Sequence, residues 1–375
     1  MVLSSLKRKI INRIIIIVII LLGLKKPVLP VQAEKKEALV FIALEEYVQM
    51  YLAHSVSIKE ATRELEKAER NYRQARDERV ASLHLTRLET TAGTARLALA
   101  EGRGGETVSA VRRYFQYLQA RRELTTVEEA LRLEEEKLRI TGLRYEAGLN
   151  TEIEFLQQKN ACLAAEEEVE TAKYEYIIAR QAFLRGIEQE DETTFTFLAG
   201  VDLTGIKPEE YDFARCLQGA KKTSAAYYSA RKTLAVSRKQ WAAVQDPAGA
   251  TDEERKNAAY DLEAAEENYY RAERELHDRI FGLLEEYKSL LRRLDLAQRQ
   301  VALATREVEV AKIRFSQGEI RGFDLDQAKL RLQEAADQVN KVMEDLFLQQ
   351  LLLVTAAGHD PSPLIAGAAT GSGVL

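Results

Sequence analysis

The side chains best suited to metal or nucleophilic chemistry are four histidines and two cysteines, and their spacing supports neither. His54, His84, His277 and His359 lie far apart, with no His-Glu-x-x-His pair and no Cys-His ligand spacing. The segment Gly102-Arg103-Gly104-Gly105 lacks both the lysine that follows a phosphate loop and the strand that precedes one, so it reads as a flexible turn. Cys162 and Cys216 are too few for a disulfide framework. No catalytic, cofactor-binding or metal-binding residue emerges, and the chain is not expected to be an enzyme. Positional meaning rests instead with two glycines, Gly148 and Gly318, each followed six residues on by an acid, Glu154 and Asp324.

The elements that place those glycines are helices. Of 375 residues, 30% are charged, only 7% are aromatic and 6 are proline, a profile of long helices rather than layered sheets. Residues 31–207 and 248–360 contain no proline, the residue a helix interior tolerates least. Glycine and turn residues group at 93–105, 148–151, 186–212, 245–251, 318–322 and beyond 358, and these segments are expected as loops and tail.

Between the turns the hydrophobic period is seven. Tyr117, Leu124, Leu131, Leu138 and Tyr145 form one seam, and Phe155, Cys162, Val169, Tyr176 and Phe183 form another beyond Gly148. Cys162 therefore reads as a small buried hydrophobe. The pattern returns after 170 residues in Tyr287, Leu294, Val301, Val308 and Phe315, then Leu325, Leu332, Val339, Leu346 and Leu353. An earlier helix repeats at an offset of 169, with Tyr72 answered by Trp241, both expected in a seam. Internal duplication follows, and with it an all-α fold of long antiparallel coiled-coil helices in two repeats. Ala297, Ala304 and Ala311 add a second packing face of small side chains, suited to a curved sheet or barrel of helices. The expected organisation is a first repeat over 34–187, a linker over 188–212, a second repeat over 213–358 and a disordered tail over 359–375.

Residues 1–33 read as a signal peptide. Lys7, Arg8, Lys9 and Arg13 precede an apolar run from Ile14 to Leu24, too short for a bilayer span, and Ala33 supplies a small residue for cleavage before Glu34. Export to the cell envelope is expected. The mature chain would carry 48 basic against 59 acidic side chains, a net of −11, with the signs interleaved. Nucleic acid is not an expected partner.

The segments RYEAGLNTEIEFLQQKNACLAAEEEV and RFSQGEIRGFDLDQAKLRLQEAADQV resemble the duplicated tip motif of the TolC family of outer-membrane efflux proteins. The resemblance covers about residues 36–358. It implies a homotrimer whose helices form a tapered tunnel, docked by its tips on a periplasmic adaptor of an inner-membrane pump or type I secretion system. By position the adaptor-contacting tips would be Gly148, Leu149 and Thr151 with Gly318, Ile320 and Arg321, and Asp324 would constrict the tunnel entrance. Where the family can show a second Asp, this chain has Gln327, leaving Asp326 as a possible helper.

The chain departs from the family at the distal turns. There each repeat of the family inserts two membrane-spanning strands, and a spanning strand takes about 9–11 residues. QDPAGATDEERKNAAYDL is charged and helix-prone, and Ala81–Leu88 offers at most one weak strand. The expectation is a tunnel without its own outer-membrane barrel. A coiled-coil adaptor or scaffold of the envelope with no conduit role is the other open reading.

Overall fold

A computed structural model describes residues 38–188, 195–198, 203, 211–245 and 250–369. The proposed signal peptide and most of the proposed linker lie outside these residues. Two compact units divide the chain: 1–39 with 193–196, and 40–192 with 197–375, which carries every helix described. Two short strands, β1 (Ala38–Phe41) and β2 (Phe195–Leu198), pair with each other.

The rest is helix, and the duplication is plain in it. The first repeat runs α1 (Leu44–His54), α2 (Val56–Asp77), α3 (Ser82–Glu146) and α4 (Glu152–Gly186). The second runs α5 (Phe213–Thr223), α6 (Ala225–Ala243), α7 (Asp252–Ser316) and α8 (Gly322–Ala356). The long helices α3 and α7 have 65 residues each and their partners α4 and α8 have 35 each. At about 1.5 Å per residue, α3 and α7 are each about 100 Å long. Starts are fixed by side-chain caps: Ser55 accepts from the Ile58 amide and Ser224 from the Tyr227 amide, at matching places in the two repeats.

Three expectations need correction. Residues 93–105 are not a loop, because α3 runs straight through them. Two of their glycines serve close packing: a Cβ at Gly104 would collide with Thr355 Cγ2, and one at Gly93 would stand 2.5 Å from the Tyr228 hydroxyl, whereas Gly102 and Gly105 face open space. Ala81–Leu88 is not a strand either, since α3 begins at Ser82, with four residues between it and the end of α2. Finally, the tail is not wholly irregular: α9 (Ser362–Ala369) buries Ile365 and Ala368 against the first core cluster.

Packing follows the heptads. α4 lies along α3 and α8 along α7, while α3 joins the two hairpins by packing on α8 toward the tips and on α6 toward the distal end. The deepest burial sits near the middle of the long helices, where Tyr47, Tyr114, Tyr117, Phe183 and Phe347 form one cluster and Ile280, Leu284, Tyr287 and Leu353 another. Cys162 is buried in its seam with a free thiol. Tyr72 and Trp241 are half-buried.

Candidate functional site

Each hairpin turns over at its tip by the same local chemistry. Gly148 and Gly318 stand just past a helix end with φ +70° and +75°, a conformation glycine adopts without steric cost. In the first tip the Gly148 amide donates to the Tyr145 carbonyl and the Leu149 amide to that of Arg144. The second tip repeats both bonds, from Gly318 to Phe315 and from Glu319 to Arg314. These bonds satisfy carbonyls that a helix end otherwise leaves without partners.

The acids six residues on restart the chain as helix. Glu154 accepts from the Thr151 amide at 2.7 Å while the Thr151 hydroxyl accepts from the Glu154 amide at 3.3 Å, a reciprocal capping box. Those hydrogen bonds hold the Glu154 carboxyl below the usual glutamate range. Asp324 does the corresponding work, accepting from the Arg321 amide at 3.0 Å. Asp324 is exposed. Asp326 is turned into the contact with α3 instead, 3.7 Å from Arg132, and it accepts from Lys329 at 2.8 Å.

Around these caps the tips are apolar and accessible. Leu149 is 76% exposed and Ile153 68%. Gly148, Thr151, Gly318 and Arg321 are exposed as well, whereas Ile320 is half-buried against its own hairpin. Beside it lies a hollow of about 490 Å³ into which Arg306, Arg314 and Arg331 are gathered with Asp324.

Sequence reasoning did not find the seam between the hairpins. Arg122 of α3 donates to both oxygens of Glu344 of α8, at 2.7 and 2.8 Å, and Gln119 donates to the same carboxylate at 2.8 Å. Nearer the tip, the Thr126 hydroxyl donates to Asp337 and accepts from Gln333. Glu344 is only 4% exposed, and burial pushes its carboxyl above the usual glutamate range although the Arg122 guanidinium opposes the shift.

Beyond scattered exposed side chains such as Val56, Leu83, Leu143, Tyr145 and Phe315, two runs of exposed apolar side chains lie on α4 and α7. On α4 they are Leu156, Leu163, Tyr174, Ile177 and Ile178, and on α7 Phe281, Leu296, Leu303, Val310 and Ile313. Each set falls on one face of its helix, given about 100° of turn per residue. Shifted by the repeat offset, the α7 positions Phe281, Leu296 and Leu303 correspond to Val111, Thr126 and Leu133 of α3, all buried. The α4 positions Leu163, Tyr174 and Ile177 correspond to Gln333, Glu344 and Phe347 of α8, which face α3. The uncovered faces are thus the repeat equivalents of the two faces that meet inside the chain.

No protein-family model matches the sequence, and neither does any curated protein sequence. Solved structures do match. The outer membrane protein VceC of Vibrio cholerae is similar over 84% of this chain and 96% of its own, at 15% identity and a TM-score of 0.60. Its fold is that of the TolC-type channels. The CmeC outer membrane channel of Campylobacter jejuni matches 93% of this chain and 98% of its own, at 13% identity and a TM-score of 0.58. CusC matches 90% and 99%, at 12% identity and a TM-score of 0.63. At such identities the likeness is one of fold.

Within that fold the distal turns are short. Four residues separate α2 from α3 and eight separate α6 from α7, fewer than a single spanning strand of about 9–11 residues requires. Among the described residues no helix is long and apolar enough to cross a membrane.

Proposed function

We propose that this chain is an exported component of the cell envelope that closes with copies of itself into a ring of helical hairpins, a homotrimer by analogy with the fold, and serves efflux or secretion as a conduit. One observation carries the reading: the exposed apolar faces of α4 and α7 are the repeat equivalents of the α8 and α3 faces that pack within the chain. A contact of α7 on the α4 of the next copy would continue the internal α3–α8 contact, and such a head-to-tail contact closes a ring when its rotation does. Covering those stripes also takes two exposed apolar helix faces out of water.

In this reading the tips, with Gly148, Leu149 and Thr151 beside Gly318, Ile320 and Arg321, dock a periplasmic-type adaptor that links the ring to an inner-membrane pump. Three Asp324 carboxylates gathered near one axis would repel one another and attract cations, forming the entrance constriction. The short distal turns favour a ring that builds no membrane pore of its own. They also favour a second reading, a non-conducting coiled-coil scaffold.

Light scattering and negative-stain images of residues 34–375 distinguish the two. The conduit reading expects a hollow trimer that Leu303→Asp breaks into monomers without loss of helix; a solid rod or a parent monomer decides for the scaffold. Conductance steps from the purified protein alone in planar bilayers would overturn the absence of an autonomous pore.

A further inference from the structure

The exposed stripe of α7 reaches beyond the stretch that an α4 could cover. It runs on distally through Tyr270 and Tyr260, both exposed and on the same helix face as Leu296 and Leu303. On α3 the equivalent distal stretch is covered by α6, whose counterpart in the other repeat is α2. The first residue of α2, Val56, is 65% exposed, whereas its counterpart Ala225 of α6 is buried and its amide donates to Glu101 of α3. α2 therefore shows the uncovered version of the α6 face, as α4 shows that of α8.

Contacts inside the chain fix what would oppose what. Between α3 and α8, the Arg122 guanidinium lies 3.9 Å from Asp337, and Gln333 donates to the Thr126 hydroxyl. Moved by the repeat offset of 170, these become Arg292 against Glu167 and Leu296 against Leu163. Between α3 and α6, a Cβ at Gly93 would stand 2.5 Å from the Tyr228 hydroxyl. Moved by 170 on α7 and by 169 on α2, that contact becomes Glu263 against Lys59. All four charged side chains are exposed, and among the described residues none of them forms an ion pair within the chain. Two separate contacts, one of them between uncharged residues, thus each yield a pair of opposite charges.

We propose that the ring contact is a two-part surface in a single register: α7 lies on both α4 and α2 of the next copy, with Arg292 on its Glu167, Leu296 on its Leu163 and Glu263 on its Lys59. This rests on the ring reading above and adds to it the α2 half and the register. A slip of one heptad sets Arg292 opposite Asn160 or Tyr174 and Glu263 opposite Leu52 or Glu66, so either direction loses both ion pairs. The two parts are separated at the middle of α7. There the close contact of Gly104 with Thr355 answers to Arg274 and Arg185, like charges that keep the helices apart.

Disulfide trapping of the full chain, with Cys162→Ala and Cys216→Ala as background, tests the register. Leu296→Cys with Glu167→Cys should join copies on mild oxidation, because the internal counterparts Thr126 and Asp337 are short side chains hydrogen-bonded at 2.9 Å. Leu296→Cys with Asn160→Cys, one heptad away, should not. Independently of cysteines, Arg292→Glu and Glu263→Lys should each lower the association constant about fivefold without loss of helix. Glu167→Arg should rescue the first and Lys59→Glu the second. A parent that stays monomeric in light scattering overturns the ring reading and this inference together. An assembled parent that cross-links through Asn160 rather than Glu167, or that Glu263→Lys and Arg292→Glu leave unchanged, keeps the ring and overturns the register.

Discussion

Two faces of α3 are built from different materials. The face turned to α4 presents the heptad series Tyr117, Leu124, Leu131 and Leu138, and its contacts include the Tyr117 and Phe183 rings at 4.9 Å. The face turned to α8 is apolar near the middle of the helix, at Phe115 on Phe347, and toward the tip mixes the buried Leu133 with Gln119, Arg122, Thr126 and Arg132, each meeting a polar partner on α8. Hydrophobic burial is non-directional and scales with area, whereas buried charge pairs are strong only in good geometry. Each hairpin is therefore glued along its length, whereas the joint between the two hairpins adds a set of polar bonds of fixed geometry to its apolar contacts.

The largest effect should come from the apolar face. Val308, 5% exposed in the α7–α8 seam, has no partner for a charge, so Val308→Asp should cost about 3 kcal/mol or more and lower the melting temperature sharply. Leu325 is only half-buried, and Leu325→Asp should cost less. An equal loss from both would blur the distinction between seam and tip.

Breaking one half of the polar joint should come next. Arg122→Ala leaves the Glu344 carboxylate buried without its cation, at a cost of about 2–3 kcal/mol, below the usual range for buried pairs because Arg122 is 26% exposed. Replacing both, as Arg122→Met with Glu344→Leu, should return stability to within about 1 kcal/mol of the parent. If the double variant is as unstable as the single one, the joint depends on its charges rather than on its fit.

A smaller effect separates the faces by pH. The folded-state value of Glu344 is raised above its unfolded value near 4.5, so the folded state takes up a proton first as pH falls. Its contribution to stability therefore improves on acidification through the folded value and is complete below the unfolded one; at neutral pH the burial penalty is fully present. Glu154 and Glu254, lowered by their caps, act in the opposite sense. Subtracting the stability profile of Glu344→Gln from that of the parent isolates the acid-side gain, and a flat difference would contradict it.

The smallest effect on stability belongs to the tips. Replacing Leu149, Ile320 and Arg321 together with Ser should leave helicity and melting nearly intact, since Leu149 and Arg321 are exposed, while abolishing co-purification with an adaptor. Equal recovery of an adaptor with parent and variant would mark the tips as plain turns.

The apolar face was legible in the sequence because a seven-residue period survives any choice of partner, and the tips were legible because Gly148 and Gly318 recur in phase. The polar joint was not. Arg122 and Glu344 are 222 residues apart and, read singly, look like two more charges on solvated helix faces. Gly93 and Gly104 misled for the opposite reason: glycine marks a turn and a close helix contact with the same letter, and only the positions of Tyr228 and Thr355 tell them apart. Asp324 shows a third kind of blindness, since its repeat partner Glu154 was visible while the capping bond shared by both was not.

The equal helix lengths of the two repeats bear on how such a chain can evolve. One residue inserted in α3 between its middle and its tip turns everything beyond it by about 100°, which takes the α4 seam and the α8 joint out of phase together. A seven-residue insertion keeps phase, but the returning helix must gain the same seven to meet it. Because α3 is held on α8, the second hairpin must then follow the first. Gene duplication thus left a molecule whose reach changes only by coordinated steps in four helices, while the distal turns, bound by no such bookkeeping, are free to lengthen, shorten or lose whatever they once carried.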